Sequence, residues 1–200
     1  MRGMIAMAME DLATIVGRDP SIHSRTEALL HPALPALWTH RLAHALHVRG
    51  HRHLARLVAY LARAVTGVEI HPGARLGRRV FIDHGAAVVI GETAVIGDDV
   101  TIFHQATLGA VGWWRDGRRA PGERRHPVIG DRVIIGANAS VLGPVTVGDD
   151  ARIGASALVL TDVPVGARVL APTAEITEPS SPLDYETVTS LRLLASAGYW

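Results

Sequence analysis

Aliphatic residues recur at every sixth position from residue 129 to 159: Ile129, Ile135, Val141, Val147, Ile153 and Val159. A small apolar residue stands four places after each of the first five, at Val133, Ala139, Val145, Ala151 and Ala157. The same spacing runs through Ile90, Ile96, Ile102 and Leu108, with Ala94, Val100 and Ala106 at the small positions. A third run holds Ile70, Leu76 and Ile82, with Ala74, Val80 and Ala86. A helix repeats about every 3.6 residues and a half-exposed strand about every 2, so a strict six fits neither alone. It fits a solenoid of short flat strands, in which each aliphatic side chain stacks on its counterpart one coil away. A sandwich rich in Val, Ile and Gly would turn about every 8–12 residues and keep no register, and three phased runs argue against it.

The register breaks twice. From Ile82 to Ile90 the step is eight, which leaves two extra residues beside Asp83-His84. From Leu108 to Ile129 the step is 21, which predicts an extruded loop over residues 110–127. Insertions in a solenoid collect on one surface, often the functional one. Upstream, Leu34, Leu37, Trp38, Leu42, Leu46, Leu54, Leu57 and Leu61 recur at helical spacing within residues 21–64, interrupted by His31-Pro32, Pro35 and Gly50. The spacing therefore predicts an α+β chain: a helical region over 1–66, a β-solenoid over 67–171 with its loop at 110–127, and a tail over 172–200. The tail ends in an apolar stretch, Val188 to Trp200, read as a docking helix or a disordered end.

Composition narrows the chemistry. All 20 basic residues are arginine, and the absence of lysine removes a P-loop lysine, a Schiff base or a lysine base. With no cysteine there is no disulfide, thiolate nucleophile or cysteine-ligated metal. A formal charge of +1, with few aromatic residues, argues against nucleic acid as a partner. The run Val133 to Gly148 is interrupted by Gly, Pro and Asn and does not read as a membrane span. Only seven uncharged residues, Gly3 to Met9, separate Arg2 from Glu10, too short for a secretory leader, so the expected location is cytoplasmic.

Catalysis must then come from His, Asp, Glu, Ser or Tyr. Of eleven histidines, His84 sits at the first register break, His71 follows Glu69-Ile70 in the first coil, and His126 closes the extruded loop after Arg124-Arg125. Glu69 precedes His84 by 15 residues, close to one coil of about 18, so neighbouring coils would carry them. A carboxylate beside one imidazole nitrogen raises the basicity of the other, which can then take a hydroxyl proton. The pairs His40/His44 and His47/His51 have zinc-compatible spacing, but no acidic third ligand stands near, and they read as helix-face residues. The arginines of residues 115–125 suit either coenzyme phosphates or a solvated loop.

The segments Gly67-Val68-Glu69-Ile70-His71-Pro72-Gly73-Ala74, Phe81-Ile82-Asp83-His84-Gly85, Ile90-Gly91-Glu92-Thr93-Ala94 and Arg125-His126-Pro127 closely resemble the serine O-acetyltransferases, a hexapeptide-repeat family. Arg18-Asp19-Pro20 and Leu37-Trp38-Thr39-His40-Arg41-Leu42-Ala43-His44 resemble the helical region of that family, and the likeness covers roughly residues 19–170. The resemblance implies a left-handed parallel β-helix, a homotrimer or a dimer of trimers, and acetyl-CoA as co-substrate without a metal. It implies transfer of an acetyl group to the hydroxyl of L-serine in cysteine biosynthesis, between adjacent subunits. By motif match His84 would be the general base and Glu69 its partner, while Asp19, Asp83, Arg125 and His126 would hold the amino acid. Gly109, Ala110, Ala137 and Ala155 would line the coenzyme A slot.

The chain also departs from the pattern. After Leu108-Gly109 it reads Ala110-Val111-Gly112-Trp113-Trp114 and an Arg-rich insertion, and near the end of the repeats it reads Ala171-Pro172-Thr173-Ala174. Its last residue is Trp200, where the family tail that binds a sulfhydrylase ends in Ile, which argues against that partner. Two alternatives stay open beside serine acetylation: another hydroxy amino acid or acyl donor, and a non-catalytic β-helical subunit.

Overall fold

The computed structural model describes residues 2–120 and 122–175. Four helices come first: α1 (Arg2–Arg18), α2 (Arg25–Ala28), α3 (Ala33–Val48) and α4 (Arg52–Thr66). Helix α1 lies upstream of the expected helical stretch. It is held by burial of Leu12 and Ile15 and by the buried pair Asp11–Arg41, whose Nη2 lies 2.7 Å from Oδ1. Pro35 does not interrupt α3 but sits in its first turn, where a missing N–H is tolerated. Gly50, with φ +86°, does separate α3 from α4.

The strands β1–β14, numbered in chain order, are two or three residues long and form three wholly parallel sheets. The first face stacks β1 (Glu69–Ile70), β4 (Val89–Ile90), β7 (Thr107–Gly109), β10 (Ser140–Leu142) and β13 (Leu158–Val159). The second stacks β2 (Arg75–Leu76), β5 (Val95–Ile96), β8 (Val128–Ile129) and β11 (Thr146–Val147). The third stacks β3 (Phe81–Ile82), β6 (Thr101–Ile102), β9 (Ile134–Ile135), β12 (Arg152–Ile153) and β14 (Arg168–Val169). Successive strands visit the faces in turn, so the chain winds as a parallel β-helix. The repeat is visible in the pairing: Ile90 sits over Ile70, Leu108 over Ile90, Val141 over Leu108 and Val159 over Val141.

The six-residue aliphatic positions fill the axis of this prism and are buried, with Leu76 only partly so. One small position differs from the periodic reading. Ala86 is exposed, and Val88 takes its place in the core, its carbonyl accepting the Glu69 N–H. The two extra residues therefore enter before the small position and are pushed outward around His84. The regular turns at this edge put Ala87, Gln105, Asn138 and Ser156 in the left-handed region, and His84, with φ +59°, adds a second such residue in the enlarged turn. The extruded loop leaves the edge between first and second faces and holds one short helix, α5 (Trp113–Asp116). Residues from 176 onward, including Val188 to Trp200, lie outside the described residues.

Two histidines inside this framework set an acid limit. Burial in α3 pushes His40 down to about 3, and burial, followed by the nearby Arg56, pushes His71 down to about 4. Both are neutral when folded and take up protons on unfolding below the ordinary value of about 6.5. The unfolded state then binds more protons, so each group removes stability as pH falls from about 6.5 toward its folded value, by at most ~1.4 kcal/mol per pH unit. The melting temperature should fall steadily between pH 7 and pH 4.5, and His71→Gln should flatten that slope.

Candidate active site

Two groups of polar residues occupy opposite edges of the first face. At the edge between third and first faces, Asp83 and His84 follow β3, and the segment after α1 crosses in front of them. Arg18, at the end of α1, reaches the solenoid: Nη2 lies 2.9 Å from Asp99 Oδ1, and Nη1 donates to the Asp99 carbonyl and to Thr101 Oγ1 at 3.1 Å each. That clamp fixes the next residue, Asp19. Residues Asp19, Ser21, His31, Phe81, Asp83 and His84 line a cleft of about 560 Å³. The Asp19 carboxylate accepts the Ser21 hydroxyl at 2.7 Å and the Ser21 N–H at 2.9 Å, which hold it below the usual carboxylate range. Ligand atoms of Asp19, His31 and Asp83 lie within 4.8 Å of one another. Two carboxylates that close give the cleft a negative potential. His84 stands at the mouth with its side chain 71% exposed, edge-on to His104 at a centroid distance of 5.5 Å.

At the other edge, between first and second faces, the loop returns through Arg125 and His126. Thr93, in the turn after β4, organises both. Its hydroxyl accepts the N–H groups of Arg125 and His126, at 2.9 and 3.1 Å. His126 Nδ1 lies 3.1 Å from the Thr93 N–H, which donates to it, and 2.9 Å from the Thr93 hydroxyl. Nδ1 is therefore an acceptor, and the neutral ring carries its proton on Nε2. Burial, then the adjacent Arg125, lowers the pKa of His126 and keeps it neutral. Arg125 is aimed by Glu92, whose carboxylate is kept ionised against its burial by His71 and by this arginine.

The Cδ2–Nε2 side of the His126 ring lies against Gly91. A Cβ at that glycine would stand 2.0 Å from Cδ2 and 2.1 Å from Nε2 of the imidazole. Gly91→Ala must therefore displace the ring, with an overpacking cost of about 1–3 kcal/mol. It should lower the melting temperature, which a thermal melt against the wild type checks.

The residues expected to line a coenzyme slot divide the same way. Gly109 ends β7 at the Arg125 edge, its carbonyl accepting the Gly143 N–H at 2.9 Å, and Ala110 opens the loop there. Ala137 and Ala155 lie at the His84 edge, where the Ala137 carbonyl accepts the Ser156 N–H at 2.8 Å. One face of the prism thus separates each set into two halves. The expected contact between Glu69 and His84 is not formed. Helix α4 runs over β1 and delivers Arg63 Nη1 to Glu69 Oε2 at 2.8 Å, while the carboxylate nearest His84 Nε2 is that of Asp83, at 3.7 Å. Residues Arg18, Ser21, His31, Glu92 and Thr93 also shape the two half-sites. Only Arg18 and Glu92-Thr93 stood inside quoted motifs, and His31 read merely as a break between helices.

Comparison with known proteins agrees with this architecture. The family described as "Bacterial transferase hexapeptide (six repeats)" matches residues 126–161. A Helicobacter pylori serine acetyltransferase is 50% identical over 137 residues, 68% of this chain and 76% of that protein. The chain belongs to the serine acetyltransferase family.

A second family member, the Mycobacterium tuberculosis serine acetyltransferase, is 52% identical over 148 residues. The match takes in 74% of this chain but only 58% of that longer relative. Among solved members, the Neisseria gonorrhoeae serine acetyltransferase in complex with serine superposes with a TM-score of 0.78 at 37% identity, over 88% of this chain and 70% of that one. The N-terminal helices followed by a parallel β-helix are thus the architecture this chain shares with the serine acetyltransferase family.

Proposed function

We propose that the chain transfers the acetyl group of acetyl-CoA to the hydroxyl of L-serine, giving O-acetyl-L-serine and coenzyme A. The observation that carries this reading is the convergence of Asp19, Asp83 and His84 on one cleft, in a family with a member solved in complex with serine. The paired carboxylates suit the ammonium group, and His84, at the cleft mouth, suits the hydroxyl. In the reaction His84 takes the hydroxyl proton as the oxygen attacks the thioester carbonyl. The tetrahedral intermediate then expels the thiolate, which recovers the proton from the imidazolium. Arg125 suits the substrate carboxylate, and the Nε2–H of His126 is a neutral donor for a developing oxyanion.

These donors stand a full face away from His84 within one chain. The reading therefore includes a homotrimer of left-handed β-helices, in which the His84 edge of one protomer meets the Arg125 edge of the next. Gly109 and Ala110 of one chain would then face Ala137 and Ala155 of its neighbour, closing a slot for coenzyme A. Glu69 would brace His84 by giving up Arg63, an exposed pair worth less than about 1 kcal/mol. Thiol release from acetyl-CoA by the purified chain, with a panel of hydroxy amino acids, tests the reading. Serine-dependent release supports it, preference for another acceptor redirects it, and no release with any acyl donor refutes it.

A further inference from the structure

We infer that His31 is a positioning residue for the amino-acid pocket, its Nε2–H steering the Asp19 carboxylate onto the substrate ammonium. The inference rests on reading that cleft as the serine site. His31 lies in the turn between α2 and α3 and is 7% exposed. The turn is tied at both ends, with the His31 N–H donating to the Ala28 carbonyl at 3.0 Å and the Leu34 N–H donating to the His31 carbonyl at 3.1 Å. The ring packs on Phe81 of β3, at a centroid distance of 5.9 Å and an angle of 33°.

Its protonation state follows from its neighbours. Nδ1 accepts the Ala33 N–H at 3.2 Å, so the neutral ring carries its proton on Nε2. That nitrogen faces Asp19 Oδ2 at 3.7 Å. The other Asp19 oxygen, Oδ1, is already taken by both Ser21 donors. Asp19 is thus oriented from two sides, by Ser21 on one oxygen and by His31 on the other. A contact of 3.7 Å is long for a hydrogen bond, and such contacts tighten when substrate draws the site together.

Neutrality is part of the design. The groups facing His31 are Asp19 from the segment after α1, and Asp83 with His84 from the turn after β3. Burial lowers the pKa of His31 more strongly than the two carboxylates raise it. A neutral donor orients the carboxylates without competing for their charge, whereas an imidazolium would repel the ammonium that they exist to bind. The periodic sequence conceals this role, because His31-Pro32 lies between helices.

The test uses the full-length protein and three variants, with 3-hydroxypropionate as the serine analogue lacking the ammonium. His31→Phe keeps the ring on Phe81 and removes the donor, and His31→Gln restores a donor. His31→Phe should raise the KM for serine by ~10-fold, leave the KM for acetyl-CoA unchanged, and reduce the preference for serine over 3-hydroxypropionate. His31→Gln should recover most of that loss. The wild-type KM for serine should also climb once the pH falls below the ordinary histidine range, because burial holds the His31 pKa down, and this acid limb should shrink in His31→Phe. A His31→Phe enzyme with wild-type serine KM and preference overturns the inference, as does equal loss toward both substrates. If His31→Phe does not fold, His31→Leu decides in its place, a wild-type serine KM and an unchanged preference over 3-hydroxypropionate overturning the inference. Absence of serine-dependent thiol release by the wild type would instead overturn the reading of the cleft itself.

Discussion

His84→Ala should lower kcat by ~10²–10⁴-fold while leaving the melting temperature within a degree or two, the range expected for loss of a positioned base outside the core. The expectation combines two structural facts. The His84 side chain is 71% exposed, and the core residue of its turn is Val88. The imidazole gives up an edge-on contact with His104 at an exposed site rather than a core contact, so stability has little reason to change. The left-handed backbone at His84 does not change the balance, because alanine bears the same conformational strain there. The KM for acetyl-CoA should stay near the wild-type value, since the proposed role of the ring is toward the hydroxyl rather than the donor. Full activity in a folded His84→Ala enzyme would remove the imidazole from the chemistry. Loss of folding would instead make the residue structural.

The solenoid was legible because stacking forces each coil to present an aliphatic residue at the same place. Ile129 through Val159 therefore announce the axis of the prism without help from any neighbour. The enlarged turn at Asp83-His84 was also visible, as a register step of eight. What the spacing hid was where the extra residues enter, because Ala86 and Val88 both suit a small apolar site and only burial separates them. Helix α1 fell inside the expected helical region over 1–66 but outside its periodic stretch, because it is held by an ion pair, Asp11–Arg41, and a short apolar stripe rather than a long periodic run. The ion pair that Glu69 makes with Arg63 was hidden for a similar reason. Distance along coils brings Glu69 toward His84, but α4, which is not part of the repeat, supplies Arg63 first. The proposed His126 donor was readable as a residue, whereas its tautomer depends on Thr93, 33 positions away.

The division of the site between two edges of the first face leads to the other large effect. A His84→Ala protomer keeps Arg125 and His126, and an Arg125→Ala/His126→Ala protomer keeps Asp19, Asp83 and His84. On the proposed trimer each homo-oligomer should be nearly inactive, because every seam would lack one half. Co-refolding the two at equal amounts should restore about a quarter of the wild-type rate, the share of seams that random mixing leaves with both halves intact. Neither variant alters an axial core residue, so co-assembly itself should not be impaired. The most direct measurement of the central claim is therefore thiol release from acetyl-CoA with serine by this mixed assembly, set against each variant alone. Recovery toward a quarter of wild-type activity is the predicted result. Activity that never exceeds that of the separate variants, in oligomers shown to contain both chains, would contradict a site shared between neighbouring protomers.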